Sequence, residues 1–380
     1  MPGGWWKYIK RCSIMTVKVC ILTTVHQPFD TRIFYKEAKS LVKSGYKVTL
    51  IVPHSKNEKV DGVNIICLPR ANNRFKRIFV CTGQMFFLAL GQRSDIYHFH
   101  DPELIFIGVL LKILGKKVIY DVHEDVPKQI LNKSWLGNTQ IRKLMSSIMN
   151  IGEKMSARLF NNILAATPEI AKRFPKNKVV LLRNFPVLEL IDKTIPANYK
   201  KNKPIIVYAG GLKRVRGIKE IIQAMKYVDN KAELWLLGQW YDETLKKECE
   251  NIAEWKQVKA FGFVSLKKVF QYMKIANIGI SILFPIESHL KSLPVKHYEY
   301  MTCSLPIIIS NFFYWKDIFG RCALFADPHD PKDIAKKILF LLENKEKSEE
   351  LGKKGRALVE KRCNWEEESK KLLEMYRALL

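Results

Sequence analysis

Apolar runs of strand length alternate with amphipathic helical runs along nearly all of the 380 residues. This alternation constrains the chain most, because it is the pattern of a parallel α/β sheet. In the first half the strand-like runs are 17–24, 47–53, 63–69, 96–100, 117–123, 163–167 and 179–184. Between the first two, Ile33, Phe34, Ala38, Leu41 and Val42 line one helical face. Asp30 or Thr31 is placed to cap its start and Gly45 its end. The pattern lapses at IDKTIPANYKKNKP, 191–204, a polar stretch with Pro196 and Pro204 that reads as a linker. It resumes with 205–210, 233–238, 258–263, 278–284, 306–311 and 322–327. From Asn364 onward the chain reads as one charged amphipathic helix with an acidic first turn. The length exceeds one compact core, so two doubly wound domains are expected. Ligands of such sheets bind beyond the carboxyl ends of the strands.

The 64 lysines and arginines outnumber 37 aspartates and glutamates, for a net charge of +27. Such a field draws polyanions: nucleic acid, the anionic cytoplasmic leaflet or phosphate-bearing substrates. A lysine-rich soluble surface is the plain alternative. No basic stripe interleaved with aromatics marks an RNA surface, so no nucleic-acid partner is expected. The eight cysteines are scattered, with no CxxC pair and no zinc spacing, which points to a reduced, cytosolic compartment.

No uninterrupted apolar run reaches the roughly 20 residues of a spanning helix. LIFIGVLLKIL (104–114) is broken by Lys112 and suits a buried helix. MPGGWWKYIKRCSIM lacks the apolar core of a secretory signal. Residues 1–14 therefore read as an extension, with Met15 as an alternative start. RFKRIFVCTGQMFFLALGQR (74–93) carries Arg74, Lys76 and Arg77 at one end of a large apolar face. It suits either interfacial binding to anionic lipid or a buried domain helix.

The loops after the strands hold the chemistry-bearing residues. VHQPFDTRIF (25–34) has no glycine, which disfavours a nicotinamide dehydrogenase. Its Asp30, Thr31 and Arg32 open a helix that offers backbone N–H groups and one cation to a ligand, or simply a capped helix. HFHDPEL (98–104) and YDVHED (120–125) end two strands, each in histidine plus carboxylate. His100, Asp101, His123 and Glu124 suit a metal site, an acid/base group, a polar sugar-binding wall or plain capping loops. The lack of HExxH spacing and of a clear third ligand weighs against the metal.

In YAGGLKRVRGIKEII (208–222), Gly210 and Gly211 permit close backbone approach, and Lys213, Arg214 and Arg216 surround a helix start near Gly217. Together they make an anion-binding nest suited to a diphosphate, or a solvated basic turn. No Walker Lys-Ser/Thr comes after it, so this is not a P-loop. SLPVKHYEYMTCSLPIIISN (292–311) reads as a helix from Val295 to about Thr302 feeding a buried strand from Pro306, with Lys296 and Glu299 about one turn apart on one face.

Taken in order, FDTRIFYKEAKSL, YHFHDPEL, YDVHED, AATPEI, RNFP, YAGGLKRVRGIKEI, GFVS and SLPVKHYEYMTCSLPIIISN resemble the GT-B-fold retaining glycosyltransferases of family four, which build bacterial cell-surface polysaccharides. The resemblance spans residues 17 to about 378 and implies two Rossmann-like domains facing a cleft. An acceptor domain would cover 15–190, the linker 191–204, and a nucleotide-sugar domain 205–362. A final helix, 363–380, would cross back onto the first domain. Arg216 matches the cation on the leaving diphosphate, Glu299 the glutamate on the nucleotide ribose, and His123 the histidine near the transferred sugar. The base would lie near Gly238–Gln239 and Phe261–Val264, a stretch that includes Gly262 and Phe263. Asp30, Arg32, His100, Asp101 and Glu124 fall on the acceptor side.

Two departures stand out. Lys291 occupies the place of the family's sugar-reading glutamate, and the Leu-Pro step at Leu293 comes two residues early. Lys296 or backbone N–H groups near Ser292 and Leu293 would then do that work. Gly211 stands where many members carry an arginine, leaving Lys213, Arg214 or Lys296 to supply the cation. The implied activity is transfer of a hexose or N-acetylhexosamine, with retention, from a UDP- or GDP-sugar to a glycan or lipid-linked acceptor. It needs no essential metal and no cofactor beyond the donor. It belongs in the cytoplasm or on the inner face of the plasma membrane. A nucleotide-sugar epimerase or phosphorylase on the same fold, or a non-catalytic nucleotide-sugar-binding partner, is the alternative.

Overall fold

The computed structural model describes residues 16–380 apart from 74, 132, 134 and 135. The expected extension 1–14, Met15 as a start, and Arg74 therefore lie outside the described residues. The chain divides into two compact units, one ending at Asn184 and rejoined by Glu368–Leu380, the other Phe185–Glu367.

Among the described residues, the first unit holds eight strands: β1 (Lys18–Leu22), β2 (Lys47–Pro53), β3 (Glu58–Val60), β4 (Val63–Leu68), β5 (Ile96–Phe99), β6 (Lys117–Val122), β7 (Asn162–Ala165) and β8 (Val179–Leu181). They lie in the order β3-β4-β2-β1-β5-β6-β7-β8, all parallel except the β3–β4 pair. β1, β5 and β6 are covered on both faces, so they read as near-continuous apolar runs. The edge strand β3, EKV, has no such run and escapes a search by hydrophobicity. Most strands stop one to three residues short of the expected limits. His100 and Asn184, for example, have turned into the loops that carry the polar side chains.

Four helices of this unit carry residues of later importance. α1 runs from Thr31 through Lys43, capped by Asp30. α2 is Thr82–Gly91, α3 is Ile105–Ile113 and α4 is Thr139–Leu159. α2 and α3 turn Met85, Ala89, Ile107 and Leu111 against the sheet, and α4 adds Ala157 to the same cluster.

The second unit has six strands: β9 (Ile205–Ala209), β10 (Glu233–Leu237), β11 (Val258–Gly262), β12 (Ile278–Ser281), β13 (Ile307–Ser310) and β14 (Ala323–Ala326). They are all parallel, in the order β11-β10-β9-β12-β13-β14. Alternate residues of β9 feed two cores: Ile206 and Tyr208 on one face, Ile205, Val207 and Ala209 on the other. α5 (Ile218–Val228) comes after β9, and α6 (Val295–Thr302) precedes β13. Residues 185–204, which include the expected linker, lie within this unit, and Ile191 is fully buried there.

The last helix, α7 (Trp365–Ala378), begins under an Asn364 cap that accepts from the Glu367 N–H. From Glu368 onward it belongs to the first unit. There Glu368 accepts from the Arg183 N–H, and Tyr376 Oη lies 2.9 Å from His98 Nδ1. Leu372 is fully buried, a contribution of roughly 1.5–3 kcal/mol.

Candidate functional site

In the second unit, a cavity of about 460 Å³ opens at the carboxyl ends of β9 and β10. The backbone makes it. Gly238 lies so close to the neighbouring strand end that a Cβ there would sit 1.9 Å from the Gly210 carbonyl oxygen. Gly210 has φ +129, and a Cβ on it would sit 2.9 Å from Lys296 Nζ and 3.4 Å from Arg216 Nη1. Two cations thus converge on one glycine.

Both are held by neutral oxygens. Arg216 Nη1 donates to the Gly211 carbonyl at 3.1 Å, and Lys296 Nζ donates to the Tyr208 hydroxyl at 2.9 Å. Tyr208 donates in turn to the Gly211 carbonyl, and burial pushes its pKa up to about 12. Burial, and then Arg216, hold Lys296 well below the usual lysine range, with Glu299 opposing from one turn further on. Tyr300 Oη accepts from the Ala209 N–H and fixes the end of β9. At the rim, Tyr241 and Phe263 leave 65% and 74% of their surface exposed, as aromatic faces on which a flat ring can stack.

Of the expected donor residues, Gly210, Gly211, Arg216, Gly238, Gln239, Phe263, Lys296 and Glu299 line this cavity together. Others do not. Arg214 turns away to Glu248, at 2.6 and 3.1 Å, where that carboxylate offers it an opposite charge. Lys213 lies 4.4 Å over the Tyr241 ring. Gly262 only turns the backbone before Phe263, with φ +65. Lys291 is exposed beyond the lining. Ser292 is tied to His289 and Trp315, and Leu293 packs on the core. Tyr208 and Tyr241 escape a reading of the sequence: Tyr208 reads as one more residue of β9, and Tyr241 lies in the loop beyond β10 with no motif around it.

The first unit has a smaller cavity of about 210 Å³, lined by His26, His100, Asp101, His123, Glu124 and Lys133 among others. Asp101 is fixed by Thr23 Oγ1 and the Thr24 N–H, at 2.8 and 2.6 Å. Glu124 accepts from Gln129. His26 and His123 face each other with their Nε2 atoms 3.2 Å apart. Burial holds His123 down to about 4, so it is neutral at pH 7. Burial also disfavours protonation of His26, but Asp30 and Asp101 outweigh it and raise its pKa. Of the two rings, His26 therefore takes up a proton more readily than His123. A neutral imidazole beside fixed carboxylates suits recognition of hydroxyl groups. His26 carries no signal in the sequence beyond lying in the same loop as Asp30.

Asp30 and Arg32 are not part of this cavity's lining. Asp30 spends its carboxylate capping the N–H groups of Arg32 and Ile33. Arg32 is turned inward, bidentate on Asp121 and bonded to the Leu182 carbonyl. Glu37, His98, His100 and Asp121 are buried close enough together to hold a metal ion. Arg32 already stands 2.8 Å from Asp121 and 3.0 Å from Glu37, so a divalent ion would join a cluster that has its own cation.

A family model described as "Glycosyl transferases group 1" matches residues 192–358, and one described as "Glycosyltransferase Family 4" matches residues 31–182. The spore coat protein SA of Bacillus subtilis is 27% identical over 188 residues, 46% of this chain and 48% of that protein. The match thus spans about half the length of this curated relative. Among solved structures, sucrose-phosphate synthase from Thermosynechococcus elongatus superposes with a TM-score of 0.72 at 17% identity, covering 96% of this chain and 99% of that one. Anabaena HepE in complex with UDP-glucose superposes with a TM-score of 0.72 at 11% identity, covering 95% and 99%.

Proposed function

The chain belongs to the GT-B glycosyltransferases of the family 4 type, and on that premise we propose that it transfers a hexose or N-acetylhexosamine from a UDP- or GDP-sugar to a glycan or lipid-linked acceptor, with retention at the anomeric carbon. The observation that carries this reading is the convergence of Arg216 and Lys296 on Gly210. Two cations beside an open backbone at a strand end suit a diphosphate, and a fold relative was solved with UDP-glucose.

Glycosyl transfer requires stabilisation of the departing nucleoside diphosphate as its charge develops. Arg216 and Lys296 supply that electrostatic help. The Lys296 ammonium, disfavoured by burial and by Arg216, regains its ordinary charge preference when an anion arrives. Glu299 accepts from the ribose hydroxyls. The base lies by Gly238 and Gln239, against Phe263. On the acceptor side, neutral His123 accepts from a sugar hydroxyl, with Asp101 and Glu124 completing a polar wall. The acceptor hydroxyl attacks from the face that the diphosphate leaves. A lipid-linked acceptor places the reaction at the cytoplasmic face of a membrane.

A panel of nucleotide-sugars screened for protection against thermal unfolding tests this directly, because a ligand of the folded state raises apparent stability. One UDP- or GDP-sugar is expected to protect saturably, and Arg216→Ala and Glu299→Ala to lose both protection and transfer. Normal transfer by those variants would show the site assignment wrong. The anomeric configuration of the product, read by NMR, decides retention.

A further inference from the structure

Three helices give the first unit a broad exposed apolar surface. α2, α3 and α4 send their inward residues into one core cluster on one face of the sheet, so their other sides point away from it. On α4 those sides hold Ile141, Leu144, Ile148, Ile151 and Met155, spaced three and four residues apart, with Leu144, Ile148 and Met155 about three-fifths exposed. The 21 residues of this helix span about 31 Å. α3 adds Phe106 and Ile113, and the turn leading into α2 adds Phe75 and Phe79, all more exposed than buried. Single exposed apolar side chains are ordinary, but a rimmed surface of this extent marks an interaction site.

Charge decides what covers it. Residues 75–93, 105–114 and 139–159 contain one carboxylate, Glu153, and it is buried against Tyr120 and Arg173. Lys76, Arg93, Lys143, Lys154 and Arg158 are exposed cations on the same three segments. A second copy of the chain would set these cations against like cations, with no exposed acid on the helices to pair them. An anionic bilayer offers acyl chains to the phenylalanines and isoleucines and headgroup charge to the lysines and arginines. No helix among the described residues is long and apolar enough to cross a membrane, so such a surface would lie on the bilayer.

We propose that the α2–α3–α4 face of the first unit is a docking surface for anionic lipid, with its apolar side chains in the headgroup–acyl boundary and its basic rim on the headgroup phosphates. This deepens the membrane-side part of the proposed function. Vesicle binding needs no sugar donor, so the two readings can fail separately.

The test is flotation of the full chain with phosphatidylcholine vesicles, with and without phosphatidylglycerol, at low and high salt. Flotation is expected with phosphatidylglycerol only, and is expected to weaken with salt. The double variant Leu144→Glu/Ile148→Glu should lower partitioning by about 100-fold or more, and Lys143→Glu/Lys154→Glu/Arg158→Glu should remove the lipid-charge preference. All five side chains are exposed, so unfolding transitions should stay in place, which separates lost docking from misfolding. Absence of flotation at low salt, equal flotation with neutral vesicles, or flotation untouched by both variants would overturn the proposal. A concentration-dependent dimer in sedimentation velocity, lost in Leu144→Glu/Ile148→Glu, would overturn it in favour of a second copy.

Discussion

Both units gather charged side chains near the carboxyl ends of their strands, and the two clusters behave in opposite ways. In the first unit, Arg32 meets Asp121 and Glu37, with His98 and His100 packed on the same carboxylates. Burial pushes Glu37 up; burial also works against an ionised Asp121, but Arg32, His100 and the hydrogen bond with Glu37 together outweigh it and hold Asp121 well below the usual carboxylate range. In the second unit, Arg216 and Lys296 approach one glycine and donate to neutral oxygens. Opposite charges in a closed core complete each other. Like charges at the wall of a cavity remain a cost until an anion enters. Convergence alone therefore does not mark a site; the net charge of what converges does.

The hardest way to break this contrast is to remove the cation from each cluster in turn. Arg32→Ala leaves the buried Asp121 carboxylate, with the Glu37 carboxyl beside it, without their cation, and is expected to destabilise the first unit by about 3–5 kcal/mol in urea unfolding. A loss below about 1 kcal/mol would mean that the cluster is not a closed ionic unit. Arg216→Ala removes a charge that faces a cavity. Its expected effect is a loss of about 10²–10³ in transfer rate, with the unfolding midpoint unchanged. If Arg216→Ala also unfolded the protein, the two clusters would be the same kind of object and the donor site would lose its main support.

The fold is largely legible in the sequence because strands covered on both faces must be apolar throughout. β9, IIVYA, and β13, IIIS, announce themselves in this way. The polar edge strand β3 and the 21-residue α4 are not legible: one has no apolar run, and the other turns much of its apolar stripe outward. At the donor cavity, glycines and cations close in sequence are readable because one strand end gathers them. Arg32 and Arg214 mislead because a charged residue beside a helix start looks alike whether it faces a ligand or an internal carboxylate. Their partners, Asp121 and Glu248, lie 89 and 34 residues away, and no local pattern connects them.

A subtler probe uses pH on the first unit. His123 binds its proton near pH 4 when folded and near 6.5 when unfolded. The unfolded chain therefore holds more protons between those values, and stability falls as pH drops from about 6.5 toward 4. His26 runs the other way: its raised pKa favours the folded state below about 6.5, and that contribution is lost as pH rises through its folded value. His123→Gln is expected to flatten the acid limb of a stability–pH curve by about 1–2 kcal/mol after solvent screening. An unchanged limb would place the acid sensitivity elsewhere in the buried cluster.

The smallest expected effect sharpens the comparison from the surface side. Arg214 is close to Arg216 in sequence and reads there as part of the same nest, yet it pairs with Glu248, which Lys219 also contacts at 3.0 Å. Those bonds hold the Glu248 carboxyl down to about 2. The pair is exposed, so solvent screens its attraction and ordering two long side chains offsets much of the gain. Glu248→Gln should leave donor affinity and unfolding nearly unchanged, and any small destabilisation should shrink as salt is added. A clear drop in donor affinity would instead mean that Glu248 positions Arg214 toward the diphosphate, and would return Arg214 to the site. The two arginines, two residues apart, would then differ only in degree, and pairing with a carboxylate could no longer separate a structural cation from a binding one.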